Sequence, residues 1–337
     1  MVGLLVLASV NIFSHDAIAS PFGFIPGRYL GYMEGSYFRT TTNYDDNGNS
    51  VNLPNGNQFT QYRSDFQASY DLSRRFGVYG NVGFESVDAT TSPVERTTTG
   101  FSDVGVGADA LLWSGFVNII PDLSFSMPLY PTPGTDATPL LGDGAYAGTG
   151  KLYISRNFKY FAAAVYAGYT YRSQSLSALL PWGFRGEAFL GPFFLDLRFV
   201  ASTSLNTDYY PTGSVVRHLV TNLYDGGSYI YDTVNPSFMA MEARLGWHVA
   251  SDLFVTGGVG QTLSGQRSAQ VTTFLVGLGL TGLFNRSSID DDSSGSGDVK
   301  DFNVDTQGED MDFHPDDENE PSTLPRSHQD TKTLPIH

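Results

Sequence analysis

The chain has 337 residues, no cysteine and a formal charge of −16. The missing cysteine excludes a disulfide framework and thiolate metal ligands, and the lack of any basic patch argues against nucleic acid as a partner. No apolar run reaches the roughly 20 residues of a membrane helix, yet 37 Gly, 24 Phe and 19 Tyr suit curved strands with aromatic belts.

Residues 1–19 read as a secretory signal. GLLVLASV is its apolar core and Ala17-Ile18-Ala19 its cleavage site, giving a mature start at Ser20. From there the hydrophobic pattern has period two. It predicts strands over 28–42, 57–71, 76–89, 99–113, 116–130, 146–157, 160–172, 176–190, 192–204, 237–250, 252–264 and 269–284. In the segment 193–202, Phe193, Leu195, Leu197 and Phe199 share one parity, and Asp196, Arg198 and Ser202 share the other. Twelve such segments predict an all-β fold, a single closed antiparallel transmembrane barrel over 20–284, apolar toward lipid and polar toward a lumen.

The connections fall into two alternating classes. Every second one is tight, as at Ser73-Arg74-Arg75, Ser114-Gly115, Asn157-Phe158-Lys159, Gly191 and Ser251-Asp252. The alternates include long polar stretches at 43–56, 90–98, 131–145 and 205–236, with short ones near 173–175 and 265–268. Outer-membrane barrels have short periplasmic turns and longer external loops, so both termini are expected in the periplasm of a Gram-negative cell.

The inward parity gathers charge. Arg63, Asp65, Glu85, Asp103, Asp109, Asp122 and Lys151 fall on it, as do the pairs Arg185 and Glu187, Asp196 and Arg198, and Glu242 and Arg244. The last six, spaced i, i+2 on three successive strands, are expected to form one ion-pair network. Two readings stand side by side: a selectivity constriction, or a structural network that fills the lumen. In the loop 205–236, Tyr209, Tyr210, Tyr224, Tyr229 and Tyr231 are candidates for a ligand loop or a plug, beside the reading as an ordinary surface loop.

Residues 285–337 hold 14 acidic and 4 basic residues and little apolar content, and are expected to form a disordered acidic tail. Asp290, Asp292, Ser294, Asp298 and Asp301 fall at oxygen-ligand spacing of a calcium loop, but an acidic Ser/Gly stretch generates that match by composition, and no metal or cofactor is assigned. Catalysis is not expected either. His15, His218, His248, His314, His328 and His337 are the only histidines, and none stands with a serine at a spacing that a hydrolase would use.

Residues 99–157 carry TGFSDVGVGADALLW, FVNIIPDLSFSMPLYPTPGTDA and GTGKLYISRN. Gly100, Asp103 and Gly107, then Pro131-Thr132-Pro133-Gly134, then Gly148-Thr149-Gly150 resemble motifs of the phenol meta-degradation family of outer-membrane barrels. That resemblance covers about a fifth of the chain and implies a channel for hydrophobic or aromatic compounds. The final strand, with Gly279 and Phe284, resembles the assembly signal read by the barrel insertion machinery. The expected partners are therefore outer-membrane lipid, that machinery and a small-molecule solute, and the alternative function is a structural or interaction barrel with a plugged lumen.

Overall fold

The computed structural model describes residues 22–284 except 46, 54–55, 92–93, 131–138, 140, 143, 174–175 and 207–235. The signal 1–19, the five loop tyrosines and the tail with its Asp290–Asp301 stretch lie outside the described residues.

Twelve long strands form the wall. They are β1 (Arg28–Thr40), β4 (Gln58–Ser73), β5 (Phe76–Thr91), β6 (Val94–Ala110), β8 (Asn118–Pro128), β9 (Ala147–Asn157), β10 (Phe161–Arg172), β11 (Leu179–Leu190), β12 (Phe193–Ser204), β13 (Ser237–His248), β14 (Leu253–Gln266) and β16 (Thr272–Leu283). The short β2 (Thr42–Tyr44), β3 (Ser50–Asn52) and β15 (Ser268–Ala269) make a small separate sheet, and β7 (Trp113–Ser114) caps β8. Each long strand pairs antiparallel with its chain neighbours. β1 meets β16 in register from Arg28↔Leu283 to Phe38↔Thr273, which closes the ring and leaves no free edge between chain ends.

The parity expected from the sequence holds. Asp196, Arg198, Glu242 and Arg244 are buried inside, while Phe184, Leu197, Met241, Leu245 and Trp247 are exposed on the outer face. A charge on that outer face at mid-bilayer would cost a few kcal/mol. The period-two pattern is therefore an energetic requirement here.

One expectation is corrected. Residues 90–98 are not a long loop: β5 runs to Thr91 and β6 begins at Val94. The outward row of this hairpin tip is polar, with Asp88 opposite Thr97 and Thr90 opposite Glu95, while the inward row keeps the buried Val87 and Ala89. The tip's Thr-rich composition favours strand. The loop 43–56 likewise contains β2 and β3.

Inside, the lumen is layered. Toward the long loops, Phe38, Phe59, Val87, Leu141, Val200 and Val271 join an apolar cluster. Nearer the short turns, Tyr79, Ile120, Tyr153 and Tyr166 form a second. Most of the buried charges occupy the wall between and beside them.

Candidate functional site: the filled lumen and its side cavity

Two charged clusters line the wall. In the first, the Arg63 guanidinium on β4 is fully enclosed by three carboxylates. It meets Asp65 at 2.6 Å and Asp103 at 3.2 Å, and it also pairs with Glu85, which accepts a 2.8 Å bond from the Gln61 amide. Register builds this grouping. Arg63 lies opposite Glu85 across β4–β5. A bulge between Val82 and Phe84 then turns two successive β6 residues, Ser102 and Asp103, toward the same spot.

Gly83 is the residue opposite that bulge. A Cβ there would stand 2.5 Å from both Arg63 Nη2 and Ser102 Oγ. Gly83→Ala is expected to lower barrel stability by about 1–3 kcal/mol through overpacking, read from the urea midpoint of unfolding. Gly80→Ala, where the nearest atom to a new Cβ is 3.4 Å away, is the matched control and should change little.

The second cluster contains all six residues expected from strands β11, β12 and β13. Arg185 pairs with Glu187 and, at 3.3 Å, with Asp196, whose carboxylate also takes a 2.8 Å bond from Arg198 Nε. Arg244 pairs with Glu242. Register across β12–β13 places Asp196 opposite Arg244 and Arg198 opposite Glu242, whereas across β11–β12 like charges face one another, Arg185 with Arg198 and Glu187 with Asp196.

A seventh member is Glu34 on β1, absent from the expected set. Arg244 donates to it through Nε at 3.0 Å and Nη2 at 2.9 Å, and the Tyr32 hydroxyl donates to it at 2.8 Å. β13 and β1 are separated by β14 and β16. Arg244 crosses that gap over Gly258, where a Cβ would approach Arg244 Cγ to 2.9 Å. Glu34 sits on the inward parity of β1, between Met33 and Gly35, and the same period-two rule applied to β1 identifies it.

The remaining expected charges also point inward. Asp109 and Asp122 face one another across β6–β8 and are both buried. Asp122 accepts a 2.6 Å bond from the Tyr79 hydroxyl and lies opposite Lys151, whose Nζ is 5.3 Å from the centre of the Tyr166 ring.

The short-turn mouth is crossed by residues 22–27. Arg28 and the Ile25 amide both bind the Asp71 carboxylate at 2.8 Å, which anchors the segment to β4. Phe24 packs on the Tyr79, Ile120, Tyr153 and Tyr166 cluster. Phe22 reaches the far wall: its carbonyl accepts from Asn157 on β9 at 2.6 Å, and its ring lies 5.7 Å from the Arg185 guanidinium on β11. Both β9 and β11 are five strands from β1, one in each direction around the ring. The expectations from sequence did not include this crossing.

Space remains on one side. A cavity of about 230 Å³ lies against β6, β8, β9 and β10, lined by inward Ser102, Gly105, Ser124, Ser126, Thr149 and Lys151 and by apolar Tyr130, Leu141, Val200 and Phe238. Val106 and Phe125 also line it, although both are exposed on the outer face and are direct cross-strand partners. The β6–β8 ladder ends at Asp103↔Pro128, whereas β6 runs on to Val94, so the wall is short at this seam. Asp103 and Thr149, both in the motifs that carry the family resemblance, line the same cavity.

No protein-family model matches the chain, and no curated protein matches it in sequence. Solved structures do. An outer-membrane channel from Pseudomonas putida F1 is similar with a TM-score of 0.59 at 12% identity, over 78% of this chain and 98% of that one. The NanC porin gives 0.46 at 9% identity over 74% and 98%, and the CymD monoaromatic hydrocarbon channel 0.39 at 8% over 77% and 89%. The first likeness shows the fold, a closed twelve-stranded antiparallel barrel.

Proposed function

We propose that this chain is a passive outer-membrane channel for small hydrophobic or aromatic molecules. Its long loops face outward, and its short turns and acidic tail face the periplasm. The observation that carries the reading is the cavity at the β6–β8 seam, bordered at once by lumen-facing serines and by lipid-facing Val106 and Phe125. Binding sites for small apolar solutes are concave and largely apolar, with a few polar groups that orient the ligand. The cavity borders the charged wall through Asp103 and Lys151. The shortened ladder beside it is the place where the wall yields with the fewest hydrogen bonds broken. The resemblance carried by residues 99–157 points to the same solute class.

Cells displaying the barrel are expected to take up a labelled monoaromatic hydrocarbon faster than cells lacking it. Ser126→Trp places an indole in the cavity and should remove most of that gain while the protein remains folded and inserted. Equal uptake with and without the barrel would overturn the proposal.

A second reading, a closed barrel that serves as a structural or interaction protein, is favoured by one observation. Residues 22–27 cross the short-turn mouth from Asp71 to Asn157. Silence in planar bilayers together with no uptake would support it.

A further inference from the structure

The outer face of the barrel changes character over one part of its circumference. β4, β5 and β6 are 16, 16 and 17 residues long, against 11 or 12 for β8 to β13. The extra length amounts to roughly 15 Å of strand, at the long-loop end. Its outward side chains are not those of a lipid-facing wall. The apolar belt stops at Phe84 and Phe101, which meet edge to face at 5.4 Å.

Above that line the ladders set a row of Tyr37, Tyr62, Ser86 and Thr99. A further row carries Asp88 and Thr97. On β10, β11, β13 and β14 the exposed Tyr171, Leu180, Met239 and Leu263 lie near the long-loop ends, with the uncharged pair Gln261 and Thr272 between β14 and β16.

The chemistry of these rows is specific. The Tyr37 and Tyr62 rings lie 4.9 Å apart and tilted by 39°, forming an aromatic shelf. Beside it, the Ser86 and Thr99 hydroxyls are hydrogen-bonded at 2.8 Å, and the Thr97 hydroxyl donates to Asp88 at 2.6 Å. Tyrosine faces pack against the C–H side of a pyranose, and hydroxyls and a carboxylate exchange bonds with its OH groups. This polar face continues the lipid-facing belt strand by strand. A partner lying against it is therefore held just beyond the acyl chains of the same leaflet.

We infer that this face binds the core sugars of an outer-leaflet glycolipid. The inference uses the orientation proposed above, with long loops outward, but not the transport reading. The test is a titration of the purified full chain in detergent with lipopolysaccharide carrying its complete core, and in parallel with lipid A alone. The complete glycolipid is expected to bind more tightly than lipid A.

Tyr62→Ala is expected to weaken the complete glycolipid about tenfold and to leave lipid A binding unchanged. Thr99→Val, at an exposed position, should act in the same direction by removing the hydroxyl paired with Ser86, and serves if the first variant fails to fold. Equal affinity for lipid A and the complete glycolipid would place binding on the phosphates or acyl chains and overturn the inference. So would two folded variants that bind like the parent. Hydrocarbon uptake by the same variants is expected to stay at the parental level, so a failure of the transport reading leaves this result distinct.

Discussion

Replacing Arg63 by Ala is expected to cost about 3–5 kcal/mol of barrel stability, because it strands buried carboxylates without their counter-charge. Asp65 and Glu85 are both fully enclosed, and Asp103 nearly so, and each takes its ion pair from this one guanidinium. Arg63→Lys should recover only part of the loss. A lysine is a point charge and lacks the planar fork that serves three partners at once. The measurements are the urea midpoint and the temperature at which the folded band converts to the unfolded band in gel electrophoresis. A midpoint for Arg63→Ala within about 0.5 kcal/mol of the parent, the range of an ordinary surface substitution, would show that the cluster does not hold the wall together.

The second large effect concerns the short-turn mouth. A chain shortened to begin at Pro26 keeps the Arg28–Asp71 ion pair but loses Phe22 and Phe24. Its conductance in planar bilayers is expected to rise several-fold over that of the parent. The path to the Tyr79, Tyr153 and Tyr166 cluster then loses its cover, and the contact with Asn157 on the far wall is gone. Removing the Asn157 contact alone, by Asn157→Ala, should give an intermediate result, because Phe24 still packs inside. Identical conductance for the parent and the shortened chain would mean that the lumen is closed elsewhere, with the apolar cluster around Phe38 and Phe59 as the next candidate.

Much of this architecture was readable from the residues alone. Leu195, Leu197, Asp196 and Arg198 show the reason. In a strand, side-chain direction follows parity, and parity is a property of the sequence itself. The same rule placed all thirteen expected charges in the lumen, since none of them can face lipid cheaply.

What escaped is what parity does not encode. Residues 90–98, TTSPVERTT, carry almost no apolar side chains, so their strand character leaves little alternating trace. The joint turn of Ser102 and Asp103 toward Arg63 depends on a bulge opposite Gly83, whose position is set by pairing between two strands. The crossing of residues 22–27 joins groups 46 and 135 positions apart and is carried by a Pro- and Gly-containing segment without periodicity.

The bond between Glu34 and Arg244 has a consequence for the time the barrel survives. The two residues are 210 positions apart, and they meet only after β1 has found β16 and the ring has shut. A contact so distant along the chain forms late, so it contributes little to the rate at which the protein folds. Its weight falls on the reverse step. Opening the ring at the β1–β16 boundary means pulling two desolvated charges apart before water can reach them, which raises the barrier to unfolding. Interactions absent from the transition state prolong the native lifetime without slowing its formation. The lock across the joined ends of the chain thus makes the closed ring persistent, a protection measured in half-life more than in equilibrium stability.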